Sequence, residues 1–188
     1  VCITQDDKIK LLRVGARSIS SRRLESLPLG QGGRDKTPSK IACLPTAFVA
    51  GLGTGGTLTG TGRYLKEKNP NIRVIAVAPH PGENVQGLRA LEDGFIPEIF
   101  DASVLDGKIT VDSLTSFAVT KQLADQEGVF AGVSSGSVIH AGLKAADRLE
   151  GEQHIVCLLA DGGWKYLSSG LWTQTWESSD EVDSQVWW

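Results

Sequence analysis

The 188-residue sequence contains no methionine, only three cysteines, and no apolar run long enough to cross a lipid bilayer. The cysteines Cys2, Cys43 and Cys157 lack metal-ligand spacing and cannot all pair, so we expect reduced thiols in a cytoplasmic protein. The three histidines are not spaced as ligand pairs either, and we expect no metal. The polar start is unlike a secretory signal. Because it begins with Val1 rather than Met, we expect a fragment or a faulty gene model.

Charge divides the chain into two unequal parts. Residues 1–45 hold nine Lys and Arg against four Asp and Glu, whereas residues 46–188 hold ten against eighteen. The basic segment is rich in Ser and Gly and has little periodicity, so we expect loop or disorder, above all over residues 14–40. A basic arm can contact nucleic acid, but this one has no aromatic residue or motif for it. We therefore expect no nucleic-acid partner.

From Thr46 onward, short apolar runs alternate with helix-forming segments. We expect strands at residues 47–50, 72–78, 109–111 and 154–160, and helices at residues 56–67, 113–127 and 134–149. Asp112 and Gly128 are the expected caps of the second helix. This alternation predicts an α/β fold with a mostly parallel sheet and helices on both faces. Ligands of such folds bind at the carboxyl ends of the strands, where residues 51–57, 132–137 and 161–163 would form turns.

The turn after the first of these strands is a candidate anion site. Four glycines lie within it, Gly51, Gly53, Gly55 and Gly56. Glycines let the backbone approach a ligand closely, and the N–H groups at a helix start point towards negative charge. Thr54 and Thr57 add hydroxyl donors at the same place. The pattern predicts bound phosphate, and a glycine-rich turn with no ligand is the alternative.

A nicotinamide-dependent oxidoreductase is disfavoured, although residues 51–56 match the dinucleotide fingerprint. That function also needs an acidic residue near the end of the next strand, to bind the ribose. Here the next strand ends in Pro-His-Pro, and the first acid is Glu83. The turn also lacks the Gly-Lys-Ser/Thr ending of a triphosphate-binding loop.

Several collinear segments resemble the cysteine synthases, a family of fold-type II pyridoxal-phosphate enzymes that includes O-acetylserine sulfhydrylases and cystathionine β-synthase. Residues 48–60, Phe-Val-Ala-Gly-Leu-Gly-Thr-Gly-Gly-Thr-Leu-Thr-Gly, are similar to the family's phosphate loop. Residues 128–137, Gly-Val-Phe-Ala-Gly-Val-Ser-Ser-Gly-Ser, are similar to a second segment, and residues 94–97 and 165–168 give shorter matches. The resemblance covers residues 46–172 and implies the large-domain half of such an enzyme.

The resemblance implies pyridoxal 5'-phosphate as cofactor. The residues that match the loop holding its phosphate are Gly53, Thr54, Gly55, Gly56 and Thr57. Ser134 matches the serine whose hydroxyl meets the pyridine nitrogen, and its alternative role is that of a helix N-cap.

Arg89 lies in a segment that resembles the loop over the family's active site. An arginine here looks like the branch that uses O-phosphoserine, because a guanidinium fork binds phosphate in a bidentate manner. The alternative is a surface arginine paired with Glu92 or Asp93. The acidic, tryptophan-containing tail, residues 173–188, is similar to tails that fold over the active site in that branch, or else is disordered.

The departures from the family concern catalysis. Its Schiff-base lysine lies in a Ser-x-Lys-Asp-Arg-like segment that this chain lacks, and the context of Lys36 and Lys40 is wrong. The asparagine-containing substrate loop is absent as well. We therefore assign no catalytic residue and expect the chain alone to be inactive.

The resemblance implies a parent reaction of β-replacement on O-acetylserine or O-phosphoserine, in which a sulfur donor gives cysteine. It also implies a homodimer in the intact enzyme. Two hypotheses stay open: a fragment of an active enzyme, or an inactive remnant that binds phosphate without catalysis.

Overall fold

The computed structural model describes residues 2–4, 8–10, 45–94, 96–151 and 153–173. Its strands are β1 (Cys2–Thr4), β2 (Lys8–Lys10), β3 (Ala47–Gly51), β4 (Arg73–Pro79), β5 (Gly107–Val111) and β6 (His154–Cys157). Its α-helices are α1 (Gly56–Lys68), α2 (Ser113–Glu127) and α3 (Val133–Arg148). Short 3-10 helices span Leu91–Asp93, Ala102–Val104 and Gly163–Ser169. The strands form one sheet in the order β2-β1-β6-β3-β4-β5.

The centre of the sheet is parallel, as the alternating pattern predicts. Strand β3 pairs in parallel with β4 and with β6, and β4 pairs in parallel with β5. The predicted last strand is shorter than expected, since β6 ends at Cys157. One further ladder bond runs from the Leu158 N–H to the Val49 carbonyl at 2.9 Å, after which the chain leaves the sheet.

Helices cover both faces of this sheet, which confirms the predicted α/β class. On one face, Phe48 and Ala50 belong to the apolar cluster that includes Leu58 of α1. On the other face, Ala47 and Val49 belong to the cluster of α2 and α3. Because consecutive side chains of a strand point to opposite faces, β3 has to be apolar throughout.

Helix α2 begins and ends where its sequence predicts. The Asp112 carboxylate accepts a hydrogen bond from the Thr115 N–H at 2.7 Å, and so satisfies one of the free donors of the first turn. Gly128 ends the helix in the left-handed conformation, with φ of 67°. Glycine adopts this conformation without steric cost.

The prediction of loop or disorder for residues 1–45 is wrong for two short strands. Strand β1 pairs antiparallel with β6 and with β2, so both extend the sheet at its β6 edge. Three-residue strands are too short to produce a recognisable periodicity, and their pairing depends on the edge that β6 offers. Residues 14–40, including Lys36 and Lys40, and residues 174–188 of the tail lie outside the described residues. In the part that is described, no helix is long and apolar enough to cross a membrane.

Candidate functional site

A cavity of about 880 Å³ opens at the carboxyl ends of β3, β4 and β6. Its lining comes from the glycine-rich turn after β3, the loop after β4, the start of α3 and the segment after β6. Parallel sheets bind ligands at this edge. The volume lies within the range of small-molecule sites.

The glycine-rich turn leaves little space for a side chain at two points. Gly55 is the N-cap of α1 and has φ of 81°, and a Cβ there would lie 2.6 Å from Cδ2 of Phe100. A Cβ at Gly53 would lie 3.0 Å from the Gly87 carbonyl oxygen. With no side chain at its N-cap, α1 keeps its first N–H groups available to an anion.

The predicted phosphate-loop residues meet at this cavity, with one exception. Gly53, Thr54, Gly55 and Thr57 are among its lining residues. Gly56 is not among them, and as the first residue of α1 it contributes a backbone N–H to the helix start. The turn therefore presents N–H groups and two hydroxyls together, which is the donor set that a phosphate requires.

Ser134 lines the same cavity from the start of α3. It is the second residue of that helix, whose N-cap is Gly132, so the alternative role of Ser134 as an N-cap is wrong. Ser134 is 6% exposed and is among the residues that line the cavity, so its hydroxyl can reach a ligand there.

The loop after β4 connects the glycine-rich turn with Ser134, a contact that the sequence did not reveal. A Cβ at Gly87, which has φ of 91°, would lie 3.7 Å from the Ser134 hydroxyl oxygen. The Arg89 N–H donates to the Leu52 carbonyl at 2.7 Å. Because Gly87 also lies close to Gly53, it is near both predicted parts of the site. In the sequence, the only sign that Gly87 is special is that it is a glycine.

Arg89 is exposed and is among the residues that line the cavity. The Glu92 carboxylate, one of its alternative partners, is bound by Lys108, and this hydrogen bond lowers the pKa of Glu92. Glu83 also lines the cavity, and its Oε2 accepts from the Ser113 N–H at 2.6 Å at the start of α2. This bond helps to fix the loop beside the cavity.

These residues fit a phosphate-bearing aromatic cofactor. The anion site at the start of α1 matches a phosphate, and the buried Ser134 hydroxyl offers one hydrogen bond to a ring atom. Gly87 lies close to both and has no side chain, so a ligand can approach the backbone of this loop closely.

Comparison with known proteins agrees with this fit. The family model described as "Pyridoxal-phosphate dependent enzyme" matches residues 37–161, more than half of the chain. The chain is 43% identical over 132 residues to a cysteine synthase of Aquifex aeolicus, covering 68% of this chain and 40% of that protein. It is 40% identical over 134 residues to a probable cysteine synthase of Bacillus subtilis, covering 68% and 43%.

Solved structures give the same result. A cysteine synthase from Entamoeba histolytica aligns with a TM-score of 0.65 and 32% identity, over 72% of this chain and 43% of that one. An O-ureido-L-serine synthase aligns with a TM-score of 0.64 and 34% identity, over 73% and 46%. The chain thus spans less than half the length of these relatives. With its fold and cavity, the match shows that the chain belongs to the family of pyridoxal-phosphate-dependent enzymes, and within that family it is similar to the cysteine synthases.

Proposed function

We propose that this chain is the cofactor-phosphate-binding half of a cysteine synthase-like enzyme. The parent reaction is β-replacement, in which O-acetylserine or O-phosphoserine exchanges its leaving group for a sulfur nucleophile and gives cysteine. The observation that supports this most is the shared cavity of the glycine-rich turn and Ser134. The names of the similar proteins support the same reaction class.

In this proposal the glycine-rich turn holds the cofactor phosphate. The N–H groups of residues 53–57 and the hydroxyls of Thr54 and Thr57 donate to its oxygens, and the positive end of α1 favours its charge. Pyridoxal phosphate, when bound, supplies an electron sink for breaking bonds of an amino-acid substrate.

Ser134 orients the cofactor ring through one hydrogen bond to the pyridine nitrogen. A neutral hydroxyl leaves that nitrogen largely unprotonated, because it offers no charge to stabilise the protonated form. Ser134 would thus keep the bound cofactor a weaker electron sink, which suits elimination and replacement at Cβ. Because only 6% of Ser134 is exposed, few water molecules compete for this hydrogen bond.

Arg89 recognises the leaving group of the substrate in the same proposal. Arg89 is among the residues that line the cavity, and a guanidinium group can form two parallel hydrogen bonds to a phosphate, which an acetyl ester cannot match. In enzyme reconstituted with a lysine-bearing half, Arg89→Ala should reduce kcat/KM for O-phosphoserine far more than for O-acetylserine. The control is Arg63→Ala, which removes an arginine of α1 that forms an ion pair with Asp101. Equal losses for both substrates would contradict this role.

No catalytic residue is assigned to this chain, so the complete reaction requires a lysine from elsewhere. The alternative function is that of a remnant or module that binds phosphate without catalysis. The cysteine synthase assignment also leads us to propose a homodimer in the cytoplasm, an amino-acid substrate and a sulfur donor, and no membrane or nucleic-acid partner.

Cofactor binding to the full chain tests the proposal. Thr57→Val removes a hydroxyl from the cavity at nearly constant volume, and should weaken pyridoxal phosphate about tenfold, the effect of one hydrogen bond to a charged group. Its affinity for pyridoxal, which lacks the phosphate, should stay unchanged. Thr61→Val, one turn further along α1, is the matched control. If Thr57→Val weakens both ligands equally, or neither, the glycine-rich turn does not hold the phosphate.

A further inference from the structure

Backbone hydrogen bonds connect the turn after β6 with the segment at the start of α3. The Gly132 N–H donates to the Asp161 carbonyl at 3.0 Å, and the Gly163 N–H donates to the Phe130 carbonyl at 3.1 Å. Residues 131 and 162 form an antiparallel bridge between these two bonds. The two segments therefore form a short ladder immediately before α3 begins.

The side chains of Asp161 and Tyr166, both in this turn, lie against the start of α3. The Tyr166 hydroxyl donates to Oδ2 of Asp161 at 2.9 Å, and Nζ of Lys165 lies 3.5 Å from the same oxygen. A Cβ at Gly132 would collide with Oδ1 of Asp161 and would lie 2.8 Å from Cε2 of Tyr166. Because Gly132 is the N-cap of α3, both side chains pack directly against the start of the helix.

The chemistry of the pair suits a fixed contact. Tyr166 is 8% exposed, and burial together with the hydrogen bond to Asp161 raises its pKa to about 12, so the phenol remains a donor at neutral pH. Oδ1 of Asp161 is buried without a hydrogen-bond partner among the described residues. The positive end of the α3 dipole favours a negative oxygen at this place.

We propose that Asp161 and Tyr166 are positioning residues that fix the start of α3 and thereby direct the Ser134 hydroxyl into the cavity. Ser134 follows Gly132 by two residues, so a shift of the N-cap moves its hydroxyl. Neither member of the pair is among the residues that line the large cavity, so the pair acts through α3. The inference rests on the proposed role of Ser134 towards the cofactor ring.

The test compares affinities of the full chain for pyridoxal phosphate and for inorganic phosphate. Tyr166→Phe and Ser134→Ala should each weaken pyridoxal phosphate about threefold to tenfold, as expected for one neutral hydrogen bond, without changing phosphate affinity. The double variant should bind no more weakly than Ser134→Ala alone, because both changes remove the same contact. Tyr64→Phe, at an exposed tyrosine of α1, is the control.

A second variant changes the same contact at Gly132, the N-cap of the helix. Gly132→Ala places a methyl group against both side chains and should show the same selective loss, so the test does not depend on Tyr166→Phe being folded. Losses that add in the double variant, or that are equal for inorganic phosphate, would overturn the inference while leaving the proposed function intact.

Failure of the proposed function itself has a different signature. In that case, Thr57→Val would bind pyridoxal phosphate as the unmodified chain does. Amide hydrogen exchange of the ligand-free chain then tests whether Asp161 and Tyr166 fix the start of α3. Faster exchange over residues 132–135 in Tyr166→Phe than in Tyr64→Phe supports the positioning pair, whereas equal exchange overturns it.

Discussion

Gly55 is the position where a single methyl group should do the most damage to the glycine-rich turn. Its φ of 81° lies in the left-handed region, which costs an alanine about 1–2 kcal/mol. The added Cβ would lie 2.6 Å from Cδ2 and 2.8 Å from Cβ of Phe100, and such overpacking typically costs about 1–3 kcal/mol. Together these effects predict that Gly55→Ala lowers the free energy of unfolding by about 2–5 kcal/mol.

Urea denaturation measures this loss directly. For a slope of about 2 kcal/mol per molar, the transition midpoint should fall by about 1 M or more. Gly60→Ala is the matched control, because this glycine lies exposed within α1 and a Cβ there would meet no atom within 4 Å. It should raise stability by about 0.5–1 kcal/mol, the opposite sign. If Gly55→Ala is as stable as the unmodified chain, the proposed geometry of the turn is wrong.

Asp112 and Asp101 each accept hydrogen bonds that a single substitution would remove. Asp112→Ala removes the carboxylate that caps α2 and should lower the free energy of unfolding by about 1 kcal/mol in urea titrations; no change would contradict the cap. Hydrogen bonds from Ser103 and from Arg63 lower the pKa of Asp101 from 3.8 to about 2. The ionised form therefore stabilises the fold above about pH 4, and this contribution declines below pH 4 and is lost as the pH falls through about 2. Asp101→Asn should reduce the acid dependence of the urea midpoint in that interval, and an unchanged dependence would argue against the contribution.

The sequence predicted the parallel part of the fold well, because the signals there are local. The apolar run of β3, the glycines after it and the caps Asp112 and Gly128 each act within a few residues. Strand β1 could not be predicted in this way, because its pairing depends on β6, which lies more than a hundred residues away in sequence.

The candidate site was predictable only in part, for the same reason. Local chemistry predicted an anion site at the glycine-rich turn, and the family resemblance implied a role for Ser134. The position of Gly87 between these two parts depends on tertiary contacts, and so does the packing of Asp161 and Tyr166 against the start of α3. Ser134 itself resembled a helix cap until the structure placed the N-cap two residues earlier.

Amide hydrogen exchange of the full chain with and without pyridoxal phosphate tests the central claim most directly. The claim predicts that the cofactor slows exchange over residues 53–57 and over the first turn of α3, next to Ser134. Pyridoxal without the phosphate should protect the α3 turn but not residues 53–57. Binding of pyridoxal phosphate without protection of residues 53–57 would contradict the claim that this turn holds the cofactor phosphate.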